Sequence, residues 1–282
     1  MALLLTALSA VLLPAAVAAA VVALGRVFGK RTGAPEAGPW WTASAVGLAY
    51  LAGHLAVARP SFPPIDVTDR IPFLALAAAV AAAVEAAVKP GPRVRAAVRF
   101  VLVALALGLI LGPVIGAGDF PREVVVWLSA SVAVALVAWI DLEALIARPR
   151  GADVLRALIL TSGGASVALM IAESAVLCLL AAALTAALTA AWVVARGAFH
   201  EGHLSTAVAV LTALVLEGFV YATLPATSAA LLAAAPAATW VTRIGPLRRL
   251  GPWASATLGA VAVLVPIGLA AWLAVSPSPS YP

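Results

Sequence analysis

Of the 282 residues, 64% are hydrophobic and 10% charged, and the mean hydropathy is +1.11, a composition with too little polar surface for a water-soluble domain. The net charge of +5 would raise nucleic-acid binding in a soluble chain, but the basic residues sit in short loops between apolar runs. A single cysteine, Cys178, excludes an intrachain disulfide and any cysteine-based zinc or iron–sulfur site.

Apolar runs at 3–24, 40–58, 71–88, 94–115, 123–146, 153–172, 174–195, 204–224, 226–242 and 253–275 predict an all-α, polytopic transmembrane bundle of about ten spans. Residues 1–275 form one transmembrane domain and 276–282 a short polar tail. No basic n-region precedes the first run, which is expected to remain as a span rather than to be cleaved. Pro14 lies near its middle and is a candidate helix break.

Span two carries His54 in its outer half. The following loop, Arg59 to Arg70, is rich in proline and is expected to stiffen and cap the bundle, with Asp66 or Asp69 capping the third helix. Glu85 precedes Lys89 by four residues, the spacing of a helical ion pair. In span four, Gly108, Gly112 and Gly116 repeat at every fourth position, which predicts close helix packing within the chain, or dimerisation. Asp141 and Glu143 of span five are two apart and point to opposite faces.

Val154 to Ala195 holds 42 residues with a single charge after Arg156. A straight helix of that length would measure about 63 Å, twice a bilayer, so the stretch must fold into a hairpin, and Glu173-Ser174 is the point able to meet headgroups. Gly163 and Gly164 sit inside its first arm as a second candidate break, paired with Pro14 in a five-plus-five arrangement of the kind transporters use. Pro236 and Pro266 interrupt later spans.

Basic residues fix the orientation. With ten spans, Arg26, Lys30, Arg31, Lys89, Arg93, Arg95, Arg99, Arg148, Arg150, Arg156, Arg196, Arg243, Arg248 and Arg249 fall on one side, and Arg59, Arg70 and Arg122 on the other. Cytoplasmic loops carry the excess, so both termini are expected outside, in a cell membrane of the prokaryotic cytoplasmic kind. Trp40, Trp41, Trp192, Trp240 and Trp253 then fall at inner ends and Trp127 and Trp272 at outer ends, leaving Trp139 deeper.

Acids and histidines within apolar spans carry the functional expectation, because a charge at mid-membrane costs about 2.5–3.5 kcal/mol on insertion scales. Glu217 and His54 lie in spans running the same way, and together form a candidate proton or substrate pathway. No catalytic site, cofactor or metal is expected. In His200-Glu201-Gly202-His203 the histidines are three apart where a zinc-protease helix needs four, and Ser162 has no placed base. Two classes remain: a small proton- or cation-coupled transporter of an ion or small molecule, and a non-catalytic membrane scaffold or subunit. The lipid bilayer is the expected partner, and nucleic acid is not.

The basic split sets a test of topology. In a Cys178→Ala background, single cysteines in loops 59–70 and 116–122 should label from outside, and one in 243–252 only after permeabilisation. Outside labelling of 243–252 would reject ten spans.

Overall fold

The computed structural model describes residues 2–31, 39–116, 151–195, 202–244 and 251–275, together with 129, 133, 136, 137, 139, 140, 142, 143 and 247. All regular structure among them is helical. In chain order the helices are α1 (Ala2–Arg31), α2 (Pro39–Val57), a 3-10 turn (Thr68–Arg70), α3 (Ile71–Val88), α4 (Pro92–Gly116), α5 (Gly151–Ile171), α6 (Ala175–Ala195), α7 (Gly202–Tyr221), α8 (Ala226–Ala234), a 3-10 segment (Ala235–Arg243) and α9 (Pro252–Val275). The described residues of 129–143 are also helical.

Among the described residues seven helices are long and apolar enough to cross a membrane: Leu4–Phe28, Thr68–Val88, Pro92–Val114, Asp153–Ile171, Ala175–Ala195, Leu204–Tyr221 and Trp253–Val275. The reason is elementary. In hydrocarbon no water is present to satisfy backbone N–H and C=O groups, and a helix satisfies them within itself. Ser44–Val57 is an apolar helix of shorter length.

Two expected breaks are absent. Pro14 lies inside an uninterrupted α1, and Gly163 and Gly164 inside an uninterrupted α5. Proline removes one backbone bond and glycine none, which a long membrane helix tolerates. The break falls instead in the run at 226–242, where α8 gives way at Ala235-Pro236 to nine residues of 3-10 helix. Pro236 cannot donate to the carbonyl one turn back, and the tighter winding continues with Thr239 and Thr242 hydroxyls donating to the carbonyls of Pro236 and Thr239 at 2.9 Å.

The long apolar stretch folds as its length requires. α5 ends at Ile171, and Glu173 adopts the left-handed conformation with φ 61°. The Ser174 N–H reaches Leu169 O at 3.0 Å and the Glu173 N–H reaches Met170 O at 3.1 Å, the paired bonds of a Schellman motif. Lys89, also left-handed with φ 50°, closes α3 by the simpler αL motif, a single bond from its N–H to Glu85 O at 2.9 Å.

Helix α7 is the axis of the bundle, packed against α2, α3, α4, α5, α6 and α8, while α1 leans on α2 and α6, and α9 on α5, α8 and the 3-10 segment. Small residues set the closest approaches. A Cβ on Gly47 would fall 2.5 Å from Ala79 Cβ of α3, and one on Gly53 would meet both Pro14 of α1 and Ala183 of α6. Gly164 abuts Ile267, and Gly218 abuts Leu169.

For Gly108 and Gly112 the expectation of close packing within the chain is corrected. Gly108 and Gly112 lie on the exposed side of α4: a Cβ at Gly108 would meet nothing within 4 Å, and one at Gly112 only the Arg70 guanidinium at 3.9 Å. The spacing permits close approach but does not select the face, and α4 presents Leu102, Val103, Ala106 and Ile110 to the core instead. The surroundings of Gly116, residue Asp141, Trp127, the 117–122 and 144–150 segments and the 276–282 tail lie outside the described residues.

Ala106, at 2% exposure, should therefore be the sensitive position. Ala106→Leu is expected to cost about 1–3 kcal/mol by overpacking, seen as a lowered melting temperature in detergent, and Gly112→Leu to leave it nearly unchanged.

Candidate functional site

Glu217 stands one turn before the end of α7, with only 4% of its side chain exposed. The apolar run extends to residue 224, but the helix stops at Tyr221, so proximity to the helix end would leave this carboxylate open to water. The connector between α2 and α3 closes over it. Thr68, in the 3-10 turn, donates its hydroxyl to Glu217 Oε1, and Glu217 Oε2 is buried without a hydrogen-bond partner.

That connector is ordered by its own polar groups. Asp69 accepts from the Ser61 N–H at 3.2 Å and from the Ser61 hydroxyl, while Ser61 Oγ accepts from the Ile65 N–H at 3.0 Å. The expectation that Asp66 or Asp69 caps the third helix is corrected: Arg70 is the N-cap of α3 and makes no side-chain cap bond, because the 3-10 turn runs directly into the helix with Pro72 in its first turn. Asp69 holds the loop instead.

The connector is also fastened to α4. Pro113 has no N–H, so the carbonyl four residues back, Leu109 O, loses its helical donor; Arg70 Nη1 supplies one at 2.9 Å. Tyr221 donates to the next carbonyl, Ile110 O, at 2.8 Å. Tyr221 follows Glu217 by four residues, but its hydroxyl is committed to α4.

Two further groups converge from α2. Tyr50 and His54, four residues apart, share a face, and both are fully buried. Their rings lie 6.1 Å apart at 56°, and neither His54 nitrogen nor the Tyr50 hydroxyl has a hydrogen-bond partner. The two candidates from the sequence thus belong to one region without touching. Glu217 is within electrostatic reach of Tyr50, Asp66 and Asp69, and Asp69 within reach of His54. Tyr50 was not singled out, although its four-residue offset from His54 was the available signal.

A second buried charge cluster centres on Arg99. Arg99, counted as a loop residue, is 2% exposed, bonded to Glu143 through Nε and lying 3.4 Å from Glu85 Oε2. Glu85 therefore turns to α4, where the sequence paired it with Lys89. The network joins α3, α4 and the 129–143 segment.

Among the described residues no cluster of three histidine, cysteine or acidic side chains could hold a metal. His200, Glu201 and the His203 side chain lie outside the described residues. Ser162 sits 2.9 Å from the Thr185 hydroxyl, and half-buried Cys178 lies beside the Ser166 hydroxyl at 3.3 Å, both as contacts between α5 and α6.

Arg70 is expected to matter through structure. Arg70→Gln should lower the melting temperature by an amount equivalent to about 1.5–3 kcal/mol, the range for a charged hydrogen bond, whereas Arg59→Gln, on an exposed residue of the same loop, should not. Equal melting temperatures would remove the role given to the Leu109 carbonyl. No protein-family model, curated protein or solved structure matches this chain.

Proposed function

We infer that this chain is a ten-span integral membrane transporter, with both termini outside a cell membrane of the prokaryotic cytoplasmic kind, in which Glu217 takes up and releases a proton or small cation. The observation that carries this reading is the pairing of a 4%-exposed carboxylate having one free oxygen with a fully buried histidine having two free nitrogens. Buried polar atoms without partners are costly in a low-dielectric interior. A membrane protein that needs no ligand there would be better served by apolar side chains.

Charge supports a cationic passenger. Asp66 and Asp69 face Glu217 from the connector, and the nearby Arg70 is fastened to Leu109 O. An anion would meet net negative charge. The carbonyl end of α7 also disfavours a fixed negative charge at Glu217, which a proton or cation relieves.

Span number is supported by three pieces beyond the seven long helices: α2, the helical residues of 129–143 and the α8 run with its 3-10 continuation. That last run is discontinuous, as helices beside transporter sites often are.

A non-catalytic scaffold is the second reading, favoured by the enclosure of α7, the most buried of the long helices. The two readings separate on Glu217→Gln, which keeps the side chain's size and its acceptor for Thr68. In proteoliposomes containing a pH-sensitive dye, a panel of small organic cations should evoke proton movement with the native chain. The response should vanish in Glu217→Gln and persist in Glu173→Gln, at equal folded yield. A folded Glu217→Gln protein with undiminished response would reject titration at this site.

A further inference from the structure

A different wall of the bundle carries a groove of about 750 Å³ between α1, α5 and α6. Ala15 and Ala19 of α1, Gly163 of α5, and Ala182, Ala186 and Ala190 of α6 line it. The i, i+4, i+8 alanines of α6 put one small-residue face along its length.

Its hydroxyl groups are all turned inward. Ser166 donates to Cys178 O at 2.9 Å, Thr185 lies 2.8 Å from Ala181 O, and Thr189 donates to Thr185 O at 2.7 Å. The groove therefore offers a ligand hydrocarbon contact and little else. From Ala182 to Val194 it runs about 18 Å along the α6 axis, close to one leaflet of a hydrocarbon core about 30 Å thick.

Two arginines of the described residues stand beyond the Val193–Val194 end. There Arg26 of α1 donates from Nη2 to the last carbonyl of α6, Ala195 O, at 2.8 Å, so its charge has a neutral partner. From the α5 side the Arg156 guanidinium stands 5.7 Å from the Trp192 ring and 2.9 Å from Asp153 Oδ1. Among the described residues, two guanidinium groups against one carboxylate, beside the Trp192 indole, give this mouth a net positive charge.

We propose that the groove binds one acyl chain of an anionic bilayer phospholipid, with its headgroup phosphate at Arg26 and Arg156. A zwitterionic lipid of the same chain length would gain the hydrocarbon contact without net attraction to this mouth. The site stands apart from the carboxylate and histidine above, and does not depend on their function.

The test compares phosphatidylglycerol with phosphatidylcholine of identical chains, added to the delipidated full-length protein and counted by native mass spectrometry. The native protein should retain one phosphatidylglycerol in preference to phosphatidylcholine. Arg26→Gln and Arg156→Gln should each reduce that preference about fivefold, the effect of one basic residue near an anionic surface, and Arg156→Lys should restore most of it. Ala186→Leu, which fills the groove from a half-exposed position, should lose both lipids while keeping its circular dichroism and melting temperature. If Arg26→Gln does not fold for want of its bond to Ala195, Arg156→Gln alone decides. Equal retention of the two lipids, a preference unchanged in Arg156→Gln, or lipid retained by Ala186→Leu would overturn the proposal. So would a dimer that Ala186→Leu abolishes, since the groove would then belong to a second copy.

Discussion

In hydrocarbon every backbone N–H and C=O must find its partner inside the protein, and the architecture follows from that constraint. Where helices run unbroken it is met automatically. Where they cannot, a side chain or a special backbone conformation supplies the missing bond: Arg70 for the carbonyl orphaned by Pro113, left-handed Glu173 and Lys89 at two helix ends, and 3-10 winding after Pro236. The connector over Glu217 is ordered partly because one of these repairs anchors it to α4.

Around Glu217 the constraint is met for the backbone and left unmet for several side chains. The Glu217 Oε2 atom, both His54 nitrogens and the Tyr50 hydroxyl are buried without hydrogen-bond partners. Thr68 links the region to the connector, so any change in charge at Glu217 is felt at once by the segment that covers it.

The sequence made some of this legible, and the divisions have physical causes. The α5–α6 hairpin was readable because 42 residues exceed a bilayer, and Glu173 was the polar point at which to turn. Glu217 stood out because no other acid interrupts its run. Its partner did not, since Thr68 lies 149 residues away and nothing local reports so distant a contact. Arg99 was misplaced because counting basic residues by side treats each one near a helix end as solvated, and cannot see acids arriving from α3 and from 129–143. For packing within the chain, Gly108 and Gly112 misled for a related reason: periodicity defines a face, and only packing says which face is turned inward.

The Arg99 network also bears on how the chain enters the membrane. A guanidinium two turns into α4 is expensive to insert alone, by about 2.5–3.5 kcal/mol at a helix centre and less toward its ends. One acid that offsets it, Glu85, is synthesised first and lies across the short α3–α4 connection, so the guanidinium can leave the translocation machinery with a counter-charge already in place. Glu143 joins only after some forty more residues have emerged, 44 positions beyond Arg99 in the chain. The buried ion network can therefore form in chain order, the Glu85–Arg99 contact before the one to Glu143.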